Sequence, residues 1–317
     1  MSAPPRERLF AACAPGLEET LAAELAALGL EARAVPGGAE ASGPGAWAVA
    51  CVGSRVADAV KARLWEGPVA GLADARATLR GRLPGVELEP RRDGARASLS
   101  ADAAGAPLFK RGWRARVGAA PLRESLAAGL LARLGYDGET PFLDPMCGSG
   151  TIAIEAALVA SRRPPGLGRS FAFESWPGHD ADATTSVRRR LGAAERRPPA
   201  PVLASDRNGG AVRLASRNAA AAGVSGAIRI ERRDVADVSP PAGPGTCLVN
   251  PPYGLRLDRD VEASWRALGG LVERLRGWTV GVLAGDAAVA RLLPGRPAET
   301  VPVRNGGLRC AFLVYRP

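Results

Sequence analysis

The sequence predicts an α/β protein: a doubly wound parallel sheet closing in an antiparallel hairpin, preceded by a smaller α+β domain. Three observations carry this expectation. From residue 121 onward strand-like and helix-like segments alternate, which implies parallel strands joined by right-handed helical crossovers. A glycine-rich loop, Asp144-Pro-Met-Cys-Gly-Ser-Gly-Thr151, follows directly on a short apolar strand. Near the end, Asn305-Gly306-Gly307 separates two apolar segments and reads as a hairpin turn. The expected domains are residues 1–105 and 106–317.

In the first domain, residues 8–14 read as a strand. Pro15-Gly16 then turns the chain into a helix whose face carries Leu17, Leu21, Leu25 and Leu28, and Gly29 ends it. The apolar run 46–52 reads as a second strand after two glycine- and proline-rich stretches, and helical spacing resumes from Arg55 towards Leu64. Between Pro68 and Gly105 the pattern weakens to short strands and turns. In the second domain Leu122, Leu126, Leu130, Leu131 and Leu134 form a helix face closed by Gly135. Strands are expected at 142–144, 202–206, 228–232, 247–250, 278–284, 300–304 and 308–315, with helices at 151–160, 209–222 and 261–274. Residues 162–197 read as a long loop carrying Phe171, Phe173, Trp176 and His179 among arginines. It is either a base-stacking element or a helical cover over the sheet with an apolar anchor.

Composition narrows the function classes. With 317 residues and 46% hydrophobic content the chain can bury a sizeable core, and no apolar run approaches the roughly 18 residues of a membrane span. A cytoplasmic protein without a membrane partner is expected. The five cysteines form no Cys-x-x-Cys pair and His179 is the only histidine, so neither a metal site nor a disulfide framework is expected. The net charge of +10 suits a polyanionic partner, yet only Lys61 and Lys110 are lysines, and an arginine-rich bias also follows from GC-rich coding.

Gly148 and Gly150 let the backbone pass close to a ligand at a helix N-terminus. The loop lacks the Gly-Lys-Ser/Thr ending of a P-loop and the third glycine of a dinucleotide fingerprint, which disfavours nucleoside triphosphates and nicotinamides. Asp144, at the strand end, would repel a pyrophosphate and suits the cationic amino acid part of S-adenosylmethionine. Asp206 ends the next strand, where a carboxylate accepts both hydrogen bonds of a ribose diol, although a capping role is the alternative. Asp234 is placed to accept from an adenine amine. Met146, Cys147, Thr151, Arg207 and Val235 share these loops and are assigned with them to the cofactor. Asn250-Pro251-Pro252-Tyr253 follows the fourth strand. The Asn250 side-chain oxygen and the Pro251 carbonyl can bind both hydrogens of an aryl amine and aim its lone pair at a methyl sulfonium. The prolines fix the turn, and Tyr253 can stack on the base.

On these residues, and on 108–114, 120–124, 142–157, 176–180 and 250–257, the chain resembles the bacterial THUMP-domain class I RNA methyltransferases that act on the guanine exocyclic amine in 23S ribosomal RNA. The opening residues 9–29 resemble the N-terminal ferredoxin-like segment of that family. The resemblance implies a class I methyltransferase fold, S-adenosylmethionine at Asp144, Gly148, Gly150, Asp206, Asp234 and Asn250, and the target amine at Asn250, Pro251 and Tyr253. RNA is the implied partner, ribosomal first and transfer RNA second. The region between Val56 and Leu108 is shorter than the THUMP domain of the family, which implies a reduced RNA-capturing module; Arg80, Arg82, Arg91, Arg92 and Arg96 offer phosphate contacts there. Two other readings remain: the same amine chemistry on DNA adenine or a protein glutamine, and a non-catalytic RNA-binding or ribosome-assembly protein.

Overall fold

The computed structural model describes residues 6–114, 122–252, 259–285 and 287–317, without the side chains of 259, 287 and 288. Its contacts divide into two compact units. Unit 1 comprises Met1–Phe109 and Pro164–Ala194; unit 2 comprises Lys110–Arg163 and Glu195–Pro317. A single boundary at 105/106 therefore misses segment 164–194, which interrupts unit 2 in sequence and packs with unit 1.

Unit 1 opens with β1 (Arg6–Ala12), α1 (Glu18–Ala27), β2 (Glu31–Val35), β3 (Gly38–Pro44), α2 (Ala46–Gly53) and β4 (Ala59–Pro68), a β-α-β-β-α-β order. It continues through α3 (Leu72–Arg82), β5 (Glu89–Asp93) and β6 (Arg96–Asp102). The six strands form one antiparallel sheet in the order β2-β3-β1-β4-β6-β5. Leu17, just before α1, and Leu21 and Leu25 along it are fully buried, each contributing about 1.5–3 kcal/mol of apolar burial.

Two expectations in this unit are overturned. The run 46–52 is the helix α2, and the segment expected to be helical becomes strand β4. Every residue of α2 except Trp47 is buried, so no polar face marks its period, and Ala46, Ala48 and Ala50 favour a helix over the strand that an apolar run suggests. In β4, Val60 and Ala62 are buried between partly exposed neighbours, an alternation with period two, and a bulge between Arg63 and Trp65 then shifts the register. Helix α3 was also hidden, because Leu72 is its only buried residue.

Unit 2 runs through α4 (Glu124–Arg133), β7 (Phe142–Asp144) and α5 (Thr151–Ala160). The chain then enters segment 164–194, which contains a 3-10 turn (Ala172–Ser175) and helix α6 (Ala181–Gly192). Asp180 caps α6, its Oδ1 accepting from the Ala183 amide at 2.8 Å. Phe171, Phe173 and Trp176 are all at least 92% buried, so the aromatics of the expected loop act as the apolar anchor of a helical cover on unit 1, and base stacking by these three is excluded.

The chain returns to unit 2 with β8 (Val202–Asp206), α7 (Gly209–Ala221), β9 (Ile228–Arg232), β10 (Thr246–Val249), α8 (Arg259–Arg274), β11 (Thr279–Ala284), α9 (Ala287–Ala290), β12 (Glu299–Asn305) and β13 (Leu308–Tyr315). The sheet order is β12-β13-β11-β10-β7-β8-β9. Strands β7 to β11 pair in parallel, and the β12–β13 hairpin adds an antiparallel edge, with Asn305 opposite Leu308 across Gly306-Gly307. On one side Trp265, Leu268, Leu271 and Val272 of α8 and Leu275 just after it join Val280 and Val282 of β11 and Val249 of β10 in a single core cluster. The order reverses between β7 and β10, and a crevice at such a switch point is where ligands bind in doubly wound sheets. Among the described residues no helix is long and apolar enough to cross a membrane.

Candidate functional site

The carboxyl ends of β7, β8 and β10 and the turn after β9 meet around a cavity of about 330 Å³. Met146, Gly148, Asp206, Arg207, Asp234, Val235, Asn250 and Pro252 line it, as do Pro145, Asn208 and Ser264. The structure thus brings eight of the expected residues to one wall. Asp144, Cys147, Gly150, Thr151 and Pro251 are not on that wall. Tyr253 lies outside the described residues, as do residues 120 and 121 of the resemblance.

The glycine loop is tied down at several points. The Cys147 amide donates to Ser205 O at 2.8 Å, the Gly150 amide to Cys147 O at 2.7 Å, and the Gly148 amide to Asp206 Oδ2 at 2.9 Å. Asn218, fully buried on α7, donates from Nδ2 to Ser149 O at 2.9 Å. Gly150 has φ +86°, and a Cβ there would sit 3.0 Å from the Ala215 Cβ, so helix packing as well as backbone shape requires glycine. Gly148 has φ +53°, and an added Cβ would meet nothing within 4 Å: the loop leaves a cradle open on its cavity side.

Asp206 carries two amides, Gly148 N on Oδ2 and Asn208 N on Oδ1 at 2.8 Å. It is not the cap of α7. Asn208 takes that role, its Oδ1 accepting from Gly210 N at 2.8 Å and Ala211 N at 3.4 Å. Each Asp206 oxygen keeps a second lone pair, so the carboxylate can accept from a diol without releasing the loop. Asp234 accepts from Ala236 N at 3.0 Å and faces the same cavity. The Asn-Pro-Pro turn is anchored from α8, where the buried Trp265 indole donates to Pro252 O at 3.3 Å.

The direct ion pair expected of Asp144 is corrected by its position. The side chain is completely buried and off the cavity wall. Neither oxygen meets a donor at full hydrogen-bond geometry, although the amides of Met146 and Ala153 point towards them. Burial pushes its pKa up to about 8; the Asp206 charge adds to the rise and the two amides oppose it. Cys147 is buried beside it, and desolvation first, then Asp144 and Asp206, raise its thiol pKa, so it is no nucleophile.

A carboxyl whose folded pKa exceeds the ordinary value of 3.8 keeps a proton in the folded state that the unfolded chain releases. Its contribution to stability is full below about pH 4 and is lost as the pH rises towards about 8. Asp144→Asn keeps the shape and removes the titration. Its melting temperature relative to the parent is expected to climb between about pH 4 and about pH 8 and to level off above that; a difference that stays constant over that range contradicts the assignment.

Some of the supporting residues carried a signal that sequence reasoning left unassigned. Arg114 donates from Nη2 to Thr151 Oγ1 at 3.0 Å and to Leu122 O at 2.9 Å, and pairs with Glu124 at 3.1 Å. Arg111 pairs with Glu155 of α5 at 3.4 Å. Both arginines stand in the 108–114 block of the resemblance. Asn218 had a signal of its own, a single amide on the alanine-rich face of α7.

A parallel sheet with this switch point, a glycine loop after β7, an acidic end to β8 and Asn-Pro-Pro after β10 define a class I methyltransferase domain. The chain belongs to the family described as RMKL-like, methyltransferase domain, whose model matches residues 111–313; residues 8–61 match the RlmL ferredoxin-like domain. It is 37% identical over 222 residues to slr0064 of Synechocystis sp., provisionally named an RNA methyltransferase, covering 68% of this chain and 58% of that one. It is also 37% identical over 253 residues to the ribosomal RNA large subunit methyltransferase K/L of Methylococcus capsulatus, covering 76% of this chain and 34% of that protein. The chain therefore spans between a third and three fifths of these relatives. Among solved structures, SMU.472 in complex with SAH superposes with a TM-score of 0.86 at 24% identity, covering 99% of this chain and 98% of the other. A Listeria monocytogenes protein predicted to be an N6-adenine-specific DNA methylase gives 0.88 at 25% identity, covering 98% and 96%.

Proposed function

We propose that this chain transfers a methyl group from S-adenosylmethionine to the exocyclic N2 amine of a guanine in 23S ribosomal RNA. One observation carries the reading: Asn250 and Pro252 share a single cavity with Asp206, Asp234 and the open cradle at Gly148. The names of the relatives from Methylococcus and Shewanella support a large-subunit ribosomal RNA target. The cofactor, when bound, supplies an electrophilic methyl on a sulfonium. Asp206 accepts from its ribose and Asp234 from its adenine amine, while Gly148 leaves room for the backbone to approach. Asp144 acts from beneath, through the loop amides it faces. Asn250 and the Pro251 carbonyl hold the two hydrogens of the target amine, which draws the nitrogen towards a pyramidal shape and turns its lone pair to the methyl. The amine becomes strongly acidic once methylated, and the surplus proton leaves to water. The target nucleotide must leave its stack for its edge to reach Asn250.

The Listeria neighbour favours a second reading, the same chemistry on adenine in DNA. The test is to incubate the protein with radiolabelled S-adenosylmethionine and unmodified 23S, 16S and transfer RNA, or with DNA, and to identify the labelled nucleoside. Label in N2-methylguanosine from 23S RNA is expected. Label in another RNA corrects the substrate, label in DNA adenine favours the second reading, and no label despite cofactor binding overturns the activity. Gly148→Ala is the companion variant. Backbone strain of roughly 1–2 kcal/mol should leave it folded, while its methyl group fills the cradle and lowers cofactor affinity more than tenfold.

A further inference from the structure

Three of the six tryptophans, Trp47, Trp65 and Trp176, line one cavity of about 780 Å³ that lies wholly within unit 1 and shares no residue with the site above. Their rings are held in place. Trp47 and Trp176 meet edge to face, with centroids 5.6 Å apart and planes at 67°. The Trp47 indole donates to Arg8 O at 3.0 Å, and its amide donates to Glu7 Oε2 at 2.9 Å. Trp65 lies against Gly67, where an added Cβ would come within 2.6 Å of its ring. Aromatic walls fixed in this way lose little side-chain freedom when a planar ligand enters.

The polar groups on the wall select the ligand. Glu7 lines the cavity, and its second oxygen, Oε1, makes no hydrogen bond among the described residues. The open Oε1 and the second lone pair of Oε2 let this carboxylate, set between aromatic walls, match a ring that offers two adjacent N–H donors. Guanine offers them at N1 and N2. Adenine and cytosine present an amine beside an acceptor, and uracil a single N–H between two acceptors, so none of these satisfies both sites. Arg8 and Arg63 also line the cavity. The ion pair of Arg8 with Glu66 is exposed on the arginine side, at 55%, so Arg8 can exchange it for a phosphate with little loss.

We infer that this cavity takes an unstacked guanine nucleotide of single-stranded RNA, with the base against Trp47 and Trp65, its Watson–Crick edge on Glu7 and its phosphate on Arg8. The inference rests on the reading of the protein as an RNA enzyme and gives unit 1 a recognition role apart from the reacting nucleotide. Stacking on such side chains tolerates any base, so the carboxylate is what confers the preference.

The experiment uses the full chain and two fluorescein-labelled RNA hexamers, one of uridine only and one with a single central guanosine, read by anisotropy and by quenching of tryptophan emission. The guanosine hexamer is expected to bind at least about tenfold tighter and to quench. Glu7→Gln retains an acceptor for the Trp47 amide, and should cut the preference below about threefold. Glu7→Gln should still bind the uridine hexamer as the parent does, which shows that the variant is folded, and Trp65→Ala should weaken both hexamers. Equal affinity for the two hexamers, or a preference unchanged in Glu7→Gln, overturns the inference. Free guanosine monophosphate competing as well as the hexamer would identify a nucleotide site without a strand and overturn the RNA assignment. Methyl transfer measured in parallel separates the two readings: methylation of RNA without a guanosine preference sinks the cavity alone, and a guanosine preference without methylation of any RNA sinks the activity alone.

Discussion

Asn250→Ala is expected to lower the rate of methyl transfer by about 10²- to 10³-fold while leaving cofactor affinity within about threefold. The size follows from removing one preorganised polar group aimed at charge that develops only in the transition state, an effect worth about 2.7–4 kcal/mol when the site excludes water. The amine gains positive charge as the methyl approaches, and the Asn250 oxygen is one of the two acceptors assigned to its hydrogens. An interaction made mainly in the transition state shows itself in kcat, whereas one made equally with the resting substrate shows itself in KM. Single-turnover transfer of label at saturating RNA, with cofactor affinity measured separately by calorimetry, makes the distinction. A fall smaller than tenfold, or a loss confined to KM, means that Asn250 positions the RNA without acting on the amine. The fold should tolerate the change, because the turn is also anchored by the Trp265 indole on Pro252 O.

The elements that hold this site were legible because strong local punctuation surrounds them. β7, α5, β8, β9 and β13 have the bounds expected of them. Gly150 sets the start of α5, Asp206 and Asn208 stop β8 and begin α7, and Gly306-Gly307 starts β13. The same local signals placed Gly148, Asp206, Asp234 and Asn250 at strand ends, which a doubly wound sheet gathers at one edge. Where burial is complete, the pattern fails. Helix α2 is apolar on nearly every side, so hydrophobic period could not separate helix from strand, and the misreading carried into β4. The sequence leaves residues 162–197 open between a base-stacking loop and a helical cover; the burial of its aromatics and the contacts of segment 164–194 within unit 1, far away in sequence, decide for the cover. Long separation hid the loop supports as well. Arg114 and Thr151 are 37 residues apart, and Asn218 and Ser149 are 69 apart. For Asp144 the residue was legible and its environment was not. A strand-end aspartate looks available to a ligand until neighbouring elements bury it and raise its pKa.

Glu155→Ala is expected to destabilise the protein by up to about 3–5 kcal/mol, the usual range when one member of a buried ion pair is removed, with the neighbouring Glu124 charge offsetting part of the loss at Arg111. Glu155 is fully buried in the middle of α5, and the Arg111 side chain opposite is only 3% exposed. Screening by solvent and salt is therefore slight, unlike that of the exposed surface pairs elsewhere in the chain. At about 2–4 °C per kcal/mol for a unit of this size, the melting temperature should fall by on the order of 10 °C. A drop below about 3 °C would mean that the pair is solvated and contributes little. Glu155 approaches Arg111 at 3.4 Å and its Oε2 has no hydrogen-bond partner among the described residues, so the cost of desolvating the carboxylate is incompletely offset. The double variant Arg111→Met with Glu155→Leu should therefore recover most of the loss, because an apolar pair of similar volume needs no desolvation. Recovery of stability also allows function to be read. Arg111 pairs with Glu155 in the middle of the helix whose N-terminus, through Thr151 and Arg114, holds the glycine loop. If the double variant melts like the parent and still binds the cofactor weakly, the ion pair serves to orient that loop. If affinity returns together with stability, the pair serves the fold alone, and the loop is held by Asp206, Asn218 and Arg114.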